Sequence, residues 1–139
     1  MLALDTNVLA RYYVAEEGES RETHRQRAAA RRAIEGDDTF FAAKTVLLEL
    51  EWVLRGAYGF GHRDILRVFE HVLSLPNIQI EDRPAVESAL AGLRAGLDFA
   101  DALHHASSRA CRGFLTFDAR RFARRARRIA LTPPVRILE

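Results

Sequence analysis

Short apolar stretches alternate along this chain with longer ones whose apolar residues recur every three or four positions. Residues 2–5 read as a first strand, and residues 39–42, 78–80, 114–117 and 135–137 as four more. Helical patterns fill the intervals. Residues 8–13 read as a short helix that Thr6 or Asn7 can cap. The first long helix starts after Ser20, a good N-cap, and stops at Gly36. Another runs from about residue 45 to 54, and the next places Ile65, Leu66, Phe69, Val72 and Leu73 at helical spacing before Pro76 ends it. Asp82 and Pro84 start a further helix, with Val86, Leu90 and Leu93 on one face and Gly96 at its end. A helix from Asp98 to about residue 112 and an arginine-rich one after Asp118 complete the set. Strand and helix in alternation predict an α/β protein: a three-layer α/β/α sandwich around a central, mostly parallel five-stranded sheet. The 139 residues suit a single domain, 1–139, long enough to bury a core without staples.

Bulk chemistry narrows the class. A hydrophobic content of 48% with 29% charged residues is that of an ordinary globular protein, so disorder is excluded. The single cysteine, Cys111, rules out an internal disulfide and is expected as a small buried side chain. No apolar run approaches membrane-spanning length, and Met1 leads straight into a strand, so a cytoplasmic protein with no membrane association is expected. The net charge of +2 does not by itself imply nucleic acid. Lys44 is the only lysine among 21 basic residues. Arginine makes planar, bidentate contacts with phosphate, although a GC-rich coding sequence produces the same excess.

Candidate chemistry sits in the acids. Asp5-Thr6-Asn7 follows the first strand, where open α/β sheets bind ligands outside the carboxyl ends of their strands. The competing reading is a plain turn. Glu51 has Arg55 four residues on, a favourable helical ion pair, whereas Glu49 has apolar flanks and no local cation. Glu49 therefore needs a distant partner or a metal, unless it faces solvent. Asp98 and Asp101 are three apart; Asp98 suits an N-cap and Asp101 the first helical turn. Asp118 repeats the placement of Asp5: apolar strand, acid, helix. Asp5, Glu49, Asp101 and Asp118, if brought together, would repel one another and so would hold protons or bind a cation. An oxygen-only donor set favours Mg²⁺ or Mn²⁺ over Zn²⁺. Carboxylate-held Mg²⁺ serves phosphodiester cleavage by polarising phosphate and activating water. His104 and His105 are expected to split between surface and core edge. No serine-hydrolase constellation and no glycine-rich phosphate loop is present. A receiver-like phosphoacceptor is disfavoured because the only lysine lies early, at Lys44. A haloacid-type phosphatase would need a second Asp where Asn7 stands.

Four segments in order, Leu4-Asp5-Thr6-Asn7-Val8-Leu9, Glu49-Leu50-Glu51-Trp52-Val53-Leu54, Asp98-Phe99-Ala100-Asp101-Ala102-Leu103 and Leu115-Thr116-Phe117-Asp118, resemble the PIN-domain ribonucleases. More narrowly, the chain is similar to the toxin subunits of VapBC toxin–antitoxin pairs, over essentially its whole length. The resemblance implies a metal-dependent endoribonuclease in which Asp5, Glu49, Asp101 and Asp118 match the family's acids. It also implies that Thr6, Asn7 and Thr116 support those carboxylates, with Asp98 either a ligand or a helix cap. Where the family often has another acid after Asp118, this chain has Arg120 and Arg121, which weakens the case for a second metal site. Arg120, Arg124 and Arg128 share a helical face and are candidate RNA contacts beside such a site, with Arg121 and Arg125 on another face; a merely solvated face is the competing reading. An antitoxin partner and a homodimer are implied by the resemblance alone. The alternative function is a PIN-like module that binds RNA or protein without cutting.

Overall fold

The computed structural model describes residues 1–139, which divide into two compact units, Met1–Glu81 and Asp82–Glu139. Strand and helix alternate much as expected, and every strand pairing is parallel. The first unit contains β1 (Leu2–Ala3), α1 (Thr6–Tyr13), α2 (Arg21–Ile34), β2 (Phe40–Ala42), α3 (Lys44–Gly56), α4 (His62–Ser74) and β3 (Ile78–Ile80). Its sheet runs β1-β2-β3, with Leu2 opposite Phe40 and Phe40 opposite Ile78. The central strand buries Phe40 and Ala42, while the edge strand β1 leaves Leu2 and Ala3 exposed. Ser20 caps α2 by accepting from the Thr23 N–H at 3.1 Å, as its position in the sequence predicts. In α4, Ile65, Val68, Phe69 and Val72 fall on one face and are buried. They join Leu9, Ile34, Leu47, Leu50 and Leu54 among the buried apolar side chains, each contributing about 1.5–3 kcal/mol by leaving water.

The second unit contains α5 (Arg83–Arg94), α6 (Phe99–Ser107), β4 (Phe114–Thr116), a π-helical turn (Ala119–Ala123), α7 (Arg124–Arg128) and β5 (Val135–Ile137). Helices α5 and α6 pack closely because Gly92 has no side chain: a Cβ there would stand 2.9 Å from the Ala102 Cβ. Asp82 precedes α5 in the left-handed region (φ 48°), and its carboxylate takes the Arg109 fork at 2.8 and 3.0 Å instead of capping the helix. His105 is buried, with Nε2 2.7 Å from the Pro133 carbonyl oxygen and its ring against Phe114 and Phe122; His104 is exposed. The histidine pair therefore splits as the sequence suggests.

Five expectations are corrected. The strands hydrogen-bond as two parallel sheets, of three and two strands, and not as one sheet of five. No strand exceeds three residues, so apolar patterning marks where strands lie but not which edges pair. Helix α6 stops at Ser107, because the Ser108 and Cys111 N–H groups turn back to the His105 and Ser108 carbonyls; Cys111 is consequently exposed, not buried. The arginine-rich segment is not a regular helix throughout, since it opens on a wide turn in which the Arg124 N–H reaches the Ala119 carbonyl. Asp5, and not Thr6 or Asn7, is the N-cap of α1. No helix is long and apolar enough to cross a membrane.

Candidate active site

Each acid singled out by the sequence has a definite local setting. Asp5 leaves β1 in an extended conformation and starts α1, and its Oδ1 accepts from the Thr6 N–H at 2.8 Å. Only one carboxylate oxygen is engaged, and the residue is exposed. Thr6 beside it is buried, and its Oγ1 has no hydrogen-bond partner. A buried hydroxyl without a partner is costly, and this one adjoins Asp5 in the chain. Asn7 is exposed and lines a separate cavity of about 370 Å³ with Val8, Arg11 and Gln26.

On α3 the two glutamates divide as their neighbours dictate. Glu51 is buried and paired with Arg55 at 2.9 Å, the local ion pair read from the i,i+4 spacing. Glu49 faces solvent, so its apolar sequence flanks do not bury it. One acid escaped sequence reasoning. Glu81 follows β3 at the same carboxyl edge as Asp5, and its Oε1 accepts from the Lys44 N–H at 2.8 Å, serving the uncapped start of α3. Its signal in the sequence, an acid after a short apolar strand, is the one that identified Asp5 and Asp118.

In the second unit three acids come together. Asp98, Asp101 and Asp118 line a cavity of about 560 Å³ with Gly96, Leu97, Arg121 and Arg125. Two of the carboxylates are oriented by capping duty. Asp98 Oδ2 accepts from the Asp101 N–H at 3.3 Å, and Asp118 Oδ1 from the Arg121 N–H at 2.8 Å. Thr116 Oγ1 in turn accepts from the Asp118 N–H at 3.0 Å, fixing the turn from β4 into the cavity. Asp98 is thus a helix cap, and capping still leaves it one carboxylate oxygen. Asp101, half-buried between them, is held above the usual carboxylate range, first by burial and then by the negative charges of Asp98 and Asp118; His104 offsets this in part.

No three histidine, cysteine, aspartate or glutamate side chains are drawn together tightly enough to hold a metal ion as they stand. The donor chemistry nevertheless fits a hard divalent cation. The acids offer oxygen only, Asp5, Asp98 and Asp118 each retain an oxygen beyond the capping bond, and the negative potential on Asp101 is of the sign that a cation relieves. Of the arginines expected to face RNA, Arg120, Arg124 and Arg128 are exposed but do not line this cavity, whereas Arg121 and Arg125 do. A protein-family model described as PIN domain matches residues 2–128, and so reaches into both units. Comparison with curated proteins gave no match.

Proposed function

The chain belongs to the PIN-domain family, and from that membership we propose that it is a Mg²⁺- or Mn²⁺-dependent endoribonuclease, the toxin component of a toxin–antitoxin pair. The observation that carries this reading is the cavity at the start of α6 and the end of β4, where Asp98, Asp101 and Asp118 gather and burial and like charge hold Asp101 above the usual carboxylate range. On this reading residues 1–139 act as one domain. Asp5, Glu49 and Asp101 hold the cation, and Asp118 assists. Thr6, Asn7 and Thr116 keep the carboxylates in place; the Thr116 bond to the Asp118 backbone already has that form. A bound Mg²⁺ or Mn²⁺ would supply polarisation of the phosphodiester and activation of the attacking water.

The chain's own groups do the rest. Capping bonds prevent Asp98 and Asp118 from rotating away, so their remaining oxygens keep a fixed aim at low entropic cost. Asp101, raised by burial and by the charges of Asp98 and Asp118, is the carboxylate with most to gain from a neighbouring cation. A single-stranded RNA fits better than a duplex, because its phosphates and splayed bases can enter a cavity of this size. A cognate antitoxin, a homodimer and a cytoplasmic RNA target complete the proposal.

The test is cleavage of a structured RNA pool by the purified protein in Mg²⁺, in Mn²⁺ and in EDTA, beside Asp5→Asn and Asp101→Asn. Cutting that needs the metal and falls by at least about a hundredfold in either variant is expected, the usual scale for losing one such group. RNA left intact by all three proteins, yet bound equally by them, would favour the non-cutting module.

A further inference from the structure

We propose that Arg121 and Arg125 seat the phosphate backbone of a single-stranded RNA at this site, holding it beside Asp101. The inference rests on the nuclease reading and adds the groups that position its substrate. Both arginines line the cavity that also contains Asp98, Asp101 and Asp118. These opposite charges share one cavity without pairing. Asp98 and Asp118 turn to backbone N–H groups, those of Asp101 and Arg121, and leave the guanidiniums alone. Arg125 Nη1 donates to the Gly96 carbonyl at 3.0 Å. That bond ties α7 to the loop leading into α6 and uses one of the five donors of the fork.

The two arginines differ in how they are held. The Arg121 backbone is fixed by the Asp118 carboxylate, while its guanidinium has no partner. Arg125 is pinned along one edge. A wall carrying two unpaired guanidinium edges and three carboxylates matches a phosphodiester that arrives with a cation: the arginines face phosphate oxygens, and the acids face the cation. The neighbouring arginines lack this setting. Arg120, Arg124, Arg127 and Arg128 are exposed and outside the cavity, and contribute only to the surrounding field.

The experiment measures binding of a short labelled single-stranded oligoribonucleotide by fluorescence anisotropy in EDTA, over a range of salt. It compares the wild type with Arg121→Ala, Arg121→Lys, Arg125→Lys and the charge-matched Arg127→Ala, each first checked by thermal melting. Arg121→Ala should raise Kd about tenfold, the loss of a charge-assisted contact, and Arg127→Ala less than about twofold. The salt slope should fall by about 0.7 for Arg121→Ala, the value of one single-strand phosphate contact. Arg121→Lys and Arg125→Lys should bind between wild type and Arg121→Ala, since charge is kept and the fork is lost. With Mn²⁺ present, Arg121→Ala should raise KM more than it lowers kcat. If the wild type cuts RNA while Arg121→Ala matches Arg127→Ala in both Kd and KM, this assignment fails and the nuclease reading survives. If no protein cuts RNA but Arg121→Ala still loses binding, the nuclease reading fails and the phosphate assignment stands. Tighter binding of an acidic peptide than of the oligonucleotide would overturn the assignment.

Discussion

Asp101 lies half-buried in the first turn of α6, three residues after Asp98 and sharing a cavity with Asp118. Burial and the two like charges raise its carboxyl above the ordinary range. A folded-state value above the unfolded one has a fixed sign: the stability it contributes is fully present at low pH and is lost as pH rises through the folded value. Asp101→Asn should therefore melt higher than the wild type in EDTA at neutral pH, with the gap closing toward acid pH. Manganese at ten times its Kd should then stabilise the wild type by about 1.4 kcal/mol and the variant hardly at all. A variant that melts lower at neutral pH would remove the premise that Asp101 is electrostatically strained. Much of this was legible residue by residue. The spacing of Asp98 and Asp101 gave the cap, and Glu51 with Arg55 gave the ion pair. The solvent exposure of Glu49 was not legible, because burial on a helix face depends on what packs against it.

At the scale of elements, the α5–α6 contact sets where Asp98 and Asp101 stand. Gly92 occupies a helix interior, where Gly→Ala ordinarily stabilises by about 0.5–1 kcal/mol. Here the added methyl would meet Ala102 Cβ at 2.9 Å and Leu97 Cδ1 at 3.1 Å. Ala102 Cβ is fixed to the backbone of α6 and cannot rotate away, so overpacking of about 1–3 kcal/mol should win. Gly92→Ala is expected to lower stability in a urea melt, and to reduce cleavage out of proportion because α6 carries Asp101. A gain in stability would mean that α6 moves freely against α5. The helix starts at Ser20 and Asp98 and the apolar face of α4 were readable because caps and periodicity are local signals. The wide turn at Ala119–Ala123, the early end of α6 and the division of strands between two sheets were not. Each is decided by which backbone partner a donor finds, and single-residue preferences hardly distinguish an i→i−5 bond from an i→i−4 one.

Across the whole chain the net charge of +2 conceals an uneven distribution. The second unit holds eleven of the 21 basic residues and six of the 19 acids, a surplus of five positive charges, whereas the first carries a surplus of three negative ones. An RNA that responded to net charge would feel little; one that responds to local field should be drawn to the arginines of residues 120–128. Two triple variants separate these cases at identical net charge. Arg120→Glu with Arg124→Glu and Arg128→Glu reverses three exposed charges in the second unit. Arg21→Glu with Arg25→Glu and Arg63→Glu does the same in the first, toward the starts of α2 and α4, where an acid suits the helix dipole. The first triple should weaken oligonucleotide binding by more than about tenfold at low salt and flatten the salt slope, by reversing the local field and not by removing direct phosphate contacts. The second should leave both close to the wild type. Equal losses from the two triples would show that binding follows total charge, and the arginine-rich segment would then be a solvated face and nothing more.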